Sequence, residues 1–266
     1  MLFIGIIVAG IGVVLFFMGK SSAGKADEMA GTETSTAASL AQISADVAKE
    51  IGAGSFSQTA EVKGTIDCPS PLQAEMSGTP CVYYACTVTR EYEESYYEND
   101  SDGHRQLKTR RGSDVMQSNV RSTPFKLVDA TGSVEIDPEG ATVTGQRTFS
   151  QYQQGEGGGT VTFGRFSVNL AGMLGGGGGR RTLGYKYEET SIPLDATLYV
   201  LGEANDAGGR LKVGKPSKKG ARFIVSTKSE EQLVAEARKS SKFKTIAAYV
   251  VAAIGAAIAI AGIFIH

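Results

Sequence analysis

The two ends of the chain are apolar and uncharged, and that limits everything between them. Residues Leu2 to Gly19 read LFIGIIVAGIGVVLFFMG, and Thr245 to Ile265 read TIAAYVVAAIGAAIAIAGIFI, with no Asp, Glu, Lys or Arg in either. At 1.5 Å of rise per residue, each covers roughly the 30 Å hydrocarbon core of a bilayer as a helix. A lone strand would leave its backbone groups unpaired in lipid, so a helix is required. The expectation is a transmembrane helix over 1–19 and a second over 245–265. A cleaved signal peptide competes for the first segment, but nothing basic precedes the apolar run, whereas Lys20 and Lys25 follow it. A buried core helix competes for the second and is opposed by its length.

The flanking charges give an orientation. Lys20 and Lys25 follow the first apolar run, and Arg238, Lys239, Lys242 and Lys244 precede the second. Both clusters lie on the side of the central region, so the positive-inside rule puts that region on the cytoplasmic face. Small residues recur four apart at Gly5 and Ala9, and at Ala248, Ala252 and Ala256. Such faces let helices approach closely, which would pair the two ends. The competing reading is that Gly and Ala are simply common in membrane helices.

Between the ends, residues 20–54 read as a tether followed by a short amphipathic helix. Ser21 to Ala38 is rich in Gly, Ser, Thr and Ala. Leu40, Ile43, Val47 and Ile51 then recur at helical spacing, and Gly52 and Gly54 end the pattern. That helix is open to two placements, on the domain or on the membrane surface. A basic excess on its polar face would favour the membrane, and there is none.

Residues 55–228 turn to strand patterns. Ala60 to Ile66 alternates, and Val82 to Thr89 is β-rich. Glu91 to Glu98 is acidic and aromatic, Arg105 to Arg111 is basic, and Asp102-Gly103 between them signals a turn. The spacing predicts a long hairpin with opposite charges facing across it. Further strands are expected over 123–128, 132–136, 141–144, 181–189, 197–203, 209–213 and 221–226. Many short strands with Gly-rich turns point to a barrel or a sandwich. The fold class expected is therefore a mainly β, barrel- or sandwich-like soluble domain flanked by two transmembrane helices. Ser229 with Glu230-Glu231 opens a juxtamembrane helix over 229–244 that runs into the second span.

Two low-complexity stretches, Gly155–Gly159 and Gly175–Gly179, read as flexible connectors, because Arg180-Arg181 rather than a phosphate-loop Lys-Ser or Lys-Thr follows the second. Between them Val161, Phe163, Phe166, Val168, Leu170, Met173 and Leu174 are too apolar for a solvated loop; they would cover the core or touch the membrane. Lys212, Lys215, Lys218, Lys219 and Arg222 form a basic cluster. It suits contact with an anionic leaflet, and equally a solubilising loop face.

No chemistry stands out, and no catalytic, cofactor-binding or metal-ligating residue is assigned. Cys68, Cys81 and Cys86 are an odd set with no Cys-x-x-Cys spacing, and the two histidines are His104 and His266. The cysteines read as buried packing residues, with a single bridge as the alternative. A net charge of −1 gives no reason to expect nucleic acid as a partner.

The soluble part resembles the GIDE domain, also called the beside-a-membrane domain, of mitochondrial ubiquitin ligase activator proteins. The resemblance rests on Val62-Lys63-Gly64, Ser70-Pro71-Leu72, Ser77 to Tyr84, Ser122 to Asp129, Leu198 to Ala204, Lys215-Pro216, Phe223 to Ser226 and Ser229-Glu230-Glu231. Together these span roughly residues 55 to 240. The family plan, a membrane helix on each side of this domain, agrees with the reading above. In the eukaryotic ligases a zinc-binding RING follows the second helix, whereas this sequence ends at His266 with no such ligand set. The resemblance therefore implies a RING-less, prokaryote-type member at the plasma membrane. Three functions follow as expectations: a binding or scaffold module beside the bilayer, a RING-type ubiquitin-protein transferase active in membrane organisation, or a lipid or small-ligand site in the β domain. Membrane lipids and a protein partner are expected, and homo-oligomerisation is open.

Overall fold

A computed structural model describes residues 2–99, 104–155, 159–169 and 180–264. The first apolar run forms helix α1 (Leu2–Gly31), which continues well past Gly19. The stretch read as a tether is thus helical as far as Gly31, and only the residues before Thr36 break the helix. Tertiary packing is the reason: Ala26 and Met29 are fully buried, and burying them outweighs the modest helix cost of Gly24 and the serines.

Helix α2 (Ala37–Ile51) starts on a capping box in which Thr36 Oγ1 accepts the Ser39 N–H and Ser39 Oγ accepts the Thr36 N–H. Asp129 Oδ2 also accepts the Ala37 N–H at 2.7 Å, placing a carboxylate at the positive helix end. The helix packs on the domain through Ala37, Leu40, Ser44 and Val47, while Ile43 and Ile51 are exposed. The buried stripe is therefore rotated from the one the apolar spacing suggested.

The strands are β1 (Ser57–Asp67), β2 (Leu72–Gln73), β3 (Pro80–Asn99), β4 (Arg105–Ser122), β5 (Phe125–Val128), β6 (Ser133–Ile136) and β7 (Thr142–Thr144). They continue as β8 (Gln146–Gln154), β9 (Thr160–Phe163), β10 (Phe166–Asn169), β11 (Arg180–Pro193), β12 (Thr197–Asn205), β13 (Lys212–Gly214) and β14 (Ile224–Ser226). Strands β1, β5, β6, β13 and β12 pair in that order, and β12 pairs back onto β1 from Ser57↔Asn205 to Thr65↔Thr197. The sheet closes into a small barrel, with β14 and β7 branching from β12. Alternate residues Ala60 and Val62 of β1, and Leu198 and Val200 of β12, fill its interior with Phe125, Leu127, Ile136 and Val213. Leu40 of α2 joins the same core.

A second sheet carries β4, β3, β11 and β8, with β2 also on β3. The expected hairpin is present and longer than its charge pattern suggested, since β4 pairs with β3 from Asn99↔Arg105 to Tyr83↔Ser122. Arg110 contacts Glu94 across it, and Lys108 contacts Glu98. Strand β11 adds Arg180 to Glu94 at 3.0 Å and Arg181 to Glu93 at 3.3 Å. The Asp102-Gly103 turn lies outside the described residues, as do Leu170, Met173, Leu174 and Gly175–Gly179. The β9–β10 hairpin covers this sheet: Phe166 and Val168 are buried against Tyr84, Tyr185 and Tyr187. The Phe163 ring meets Tyr187 edge-on with centroids 4.8 Å apart and tilts against Phe149 at 5.0 Å. The described part of the apolar stretch after Gly159, Val161 to Val168, therefore covers the core of the second sheet.

Helix α3 (Glu230–Phe264) runs unbroken from the domain through the second apolar segment. Ser229 opens it, with its N–H donating to Gln232 and its hydroxyl accepting the Gln232 N–H. α1 and α3 lie against each other. Both are long and apolar enough to cross a membrane, and Phe3, Ile7, Phe17, Ile246, Tyr249 and Ile260 on them are exposed. Each such side chain left in water forgoes about 1.5–3 kcal/mol, which lipid would restore.

Candidate functional site

The domain packs on its two helices along the outer face of β12 and β14. The pleat puts Leu198 and Val200 inside the barrel and turns Tyr199 and Leu201 outward. There they meet Ala26 and Met29 of α1, Ile224 of β14, and Leu233 and Ala237 of α3 in a buried cluster. Apolar residues on both faces explain why β12 reads as a continuous hydrophobic run. Ala26 lies about 10 Å along the helix axis beyond Gly19. The apolar segments thus lead straight into a packed joint.

A polar network reinforces that joint. Glu61 on β1 is fully buried, accepts the Thr34 hydroxyl at 2.6 Å and pairs with Lys63 at 3.0 Å. Lys63 also pairs with Glu230 at the start of α3, at 2.8 Å. Desolvation opposes the Lys63 charge, but its bonds to Glu230 and Glu61 outweigh this and raise its pKa. Burial and then the nearby Glu61 charge push the Tyr199 hydroxyl well above its ordinary range. The sequence reading missed this network. Its signal was Glu61 beside Lys63 on the face of β1 opposite Ala60 and Val62, a face that the helices cover, where a charge needs partners.

Beside the joint, the loop from Lys215 to Arg222 leans against α1. Arg222 donates to Glu28 at 2.9 Å and to the Ser21 carbonyl at 3.0 Å. Ser217 is held by Glu203, through its N–H at 3.0 Å and its hydroxyl at 2.9 Å. Gly220, at φ +88°, allows the turn that carries the Ala221 N–H back to the Lys218 carbonyl. A cleft of about 430 Å³ opens between loop and helix. Lys215, Lys218, Lys219 and Arg222 line it, joined by Lys25 of α1. Lys212, grouped with them in the sequence, instead pairs with Asp137 at 3.5 Å and does not line the cleft.

The helix seam uses some of the small residues singled out in the sequence. A Cβ built on Gly5 would fall 2.5 Å from the Ala259 backbone nitrogen, and one on Gly255 would fall 2.5 Å from that of Ala9. Gly12 faces Ala248 and Ala252, at 3.0 Å from the Ala248 carbonyl oxygen and the Ala252 nitrogen. Ala256 is exposed. The α3 stripe therefore runs 248, 252, 255, 259, following the 3.6-residue period rather than strict fours.

The sequence model of the GIDE family, described as E3 ubiquitin ligase, matches residues 93–261, more than half of the chain. The chain belongs to the GIDE family. No curated protein and no solved structure is significantly similar to it. The match opens in the β3–β4 hairpin and runs into α3, so it takes in β12, the basic loop and the β12, β14 and α3 residues of the joint, but not Ala26 and Met29 of α1. The Val62–Gly64 and Ser70–Tyr84 stretches that also suggested the family precede it.

Ligase chemistry in a GIDE protein would need a zinc-bound carrier-docking module or a reactive thiol. Among the described residues, no group of three or more His, Cys, Asp or Glu side chains is placed to hold a metal ion. All three cysteines are free thiols, with Cys81 and Cys86 buried in the second sheet. Burial, followed by the Glu189 charge, raises Cys81 to about 11. Burial, followed by a hydrogen bond to Glu75 at 3.4 Å, raises Cys86 to about 12. Glu75 also accepts from Tyr84 at 2.9 Å and Asn119 at 2.6 Å, so it is a satisfied carboxylate rather than a free base.

Proposed function

We propose that this GIDE protein is a two-pass membrane protein that serves as a binding module held rigidly at the bilayer surface. The observation that carries this is the joint of Ala26, Met29, Tyr199, Leu201, Ile224, Leu233 and Ala237, which fastens the barrel to both apolar helices. A freely tethered domain would sample many orientations, whereas a packed one presents fixed faces to the membrane and to a partner. The partner surface is the long β3–β4 hairpin, where among the described residues β4 pairs with β3 alone and Leu107, Val115 and Val120 are exposed. The basic flanks of both helices favour the cytoplasmic side of the membrane, and the family resemblance suggests a prokaryotic plasma membrane.

Two measurements test this reading. The full chain should stay in the pellet after carbonate extraction of membranes, and release into the supernatant would end the anchored reading. A photo-crosslinking residue at Val115 or Val120 should give a discrete adduct in native membranes, and no adduct from either would remove the hairpin as the partner surface. The second reading, ubiquitin transfer, is favoured only by the family description. It calls for discharge of a ubiquitin-charged carrier enzyme by the full chain in nanodiscs, and the protonated state of Cys81 and Cys86 speaks against it.

A further inference from the structure

The cleft between α1 and the Lys215–Arg222 loop concentrates positive charge that the protein does not neutralise. Among the described residues, Lys25, Lys215, Lys218 and Lys219 line it and none of the four is in a salt bridge. The nearby acids are engaged elsewhere: Glu28 by Arg222, Glu203 by Ser217, and Glu236, whose charge reaches Lys25, by Lys228. No Asp or Glu among the described residues lines the cleft. Four like charges facing one space raise each other's energy, and an anion there would relieve all of them at once. The loop is also held in shape before any ligand arrives, by Glu203 on Ser217 and by Arg222 on Ser21 and Glu28. Preorganisation of this kind reduces the ordering cost of binding.

The height of the cleft selects the ligand. Ser21 and Lys25 stand about 3 and 9 Å beyond Gly19 along α1. The headgroup layer of a bilayer is about 5–7 Å thick on each side of the hydrocarbon. Lys25, the α1 residue that lines the cleft, therefore stands at the outer edge of the headgroup layer, where its flexible side chain reaches a phosphate. We infer that the cleft is a binding site for the phosphate of an anionic phospholipid headgroup, with Lys25, Lys215, Lys218 and Lys219 as the phosphate ligands. This deepens the anchored reading above and rests on it. It differs from a diffuse basic patch in one respect: Lys212, close in sequence but tied to Asp137, takes no part.

The test uses the full chain in neutral detergent, with short-chain phosphatidic acid, short-chain phosphatidylcholine and inorganic phosphate as probes, read by microscale thermophoresis. Phosphatidic acid is expected to bind at least about tenfold more tightly than phosphatidylcholine. The Lys218→Gln/Lys219→Gln variant should lose that preference, and Lys212→Gln should keep it. These lysines are exposed, and an unchanged melting temperature confirms that the variants fold. Inorganic phosphate binding as tightly as phosphatidic acid, and lost in the same variant, would keep the phosphate site but assign it to a soluble ligand. Equal weakening by Lys212→Gln, or no preference in the parent chain, overturns the inference. Carbonate extraction reports on anchoring separately, so the two failures are distinguishable.

Discussion

Single residues in this protein are governed by what surrounds them more than by their type. Cys86 is an ordinary cysteine in the sequence, yet burial and the Glu75 carboxylate lift its pKa to about 12. At pH 7 only about one molecule in 100,000 would then carry the thiolate. We expect alkylation of the native full chain at pH 8, followed by mass spectrometry, to modify Cys68, which is partly exposed, and to spare Cys81 and Cys86. Rapid modification of Cys86 would restore the thiol route to ubiquitin transfer. Glu189 makes the same point in reverse. It is fully buried, but it accepts from the Met76 and Ser77 N–H groups, the Ser77 hydroxyl and the Thr148 hydroxyl, so its charge is stabilised rather than exposed.

At the scale of elements, two contacts decide placement. The first is the N-terminus of α2. Burial works against the Asp129 charge, but the Ala37 N–H, the Thr131 hydroxyl and N–H, and the Gly132 N–H outweigh it and hold its pKa below the ordinary carboxylate value. A lowered folded-state pKa adds stability that is complete above the ordinary value of 3.8 and is lost as pH falls through the folded-state value. Asp129→Ala should therefore cost about 1 kcal/mol at pH 7, and the gap to the parent should shrink in thermal melts below about pH 4. A constant gap down to pH 3 would contradict this. The second contact is the α1–α3 seam. A Cβ on Gly12 would lie 3.1 Å from the Ala252 Cβ, whereas one on Gly10 meets nothing within 4 Å. With a small shift to the usual Cβ separation of about 3.8 Å, Gly12→Cys with Ala252→Cys should form a disulfide under mild oxidation. Gly10→Cys with Ala252→Cys should not, and equal yields would argue against this seam.

For the whole molecule, the question is whether the domain swings or is fixed. Ser21 to Ala38 has the composition of a linker, and a linker there would leave the barrel free. Met29 is fully buried in the joint, which predicts the opposite. Met29→Ala should cost about 2–4 kcal/mol of local stability. Hydrogen exchange of the full chain should then speed up in α1 beyond Gly19 while β1 and β12 keep their protection. Slow exchange there in the variant would mean that the joint does not hold α1. A fixed domain also gives the basic cleft its meaning, because a cleft at a constant height meets the same layer of the bilayer in every molecule.

How much could be read in advance follows from the range of the interactions involved. The two apolar ends, the amphipathic helix, the charged hairpin and most barrel strands were legible in the sequence because each is declared by local periodicity or uninterrupted hydrophobicity. Strand β8, reading QRTFSQYQQ, was not, since it is mostly exposed and held by backbone pairing to β11. The GIDE resemblance was legible too, as an ordered series of short motifs. Barrel closure, the extension of α1 to Gly31, the seam through Gly255 and Ala259, and the separation of Lys212 from the other lysines were decided only by the tertiary structure. Each depends on residues distant in the chain meeting in space: Ser57 with Asn205, Met29 with Leu201, Lys25 with Lys218. A sequence states what each segment prefers in isolation, and packing determines which of those preferences is satisfied together with the others.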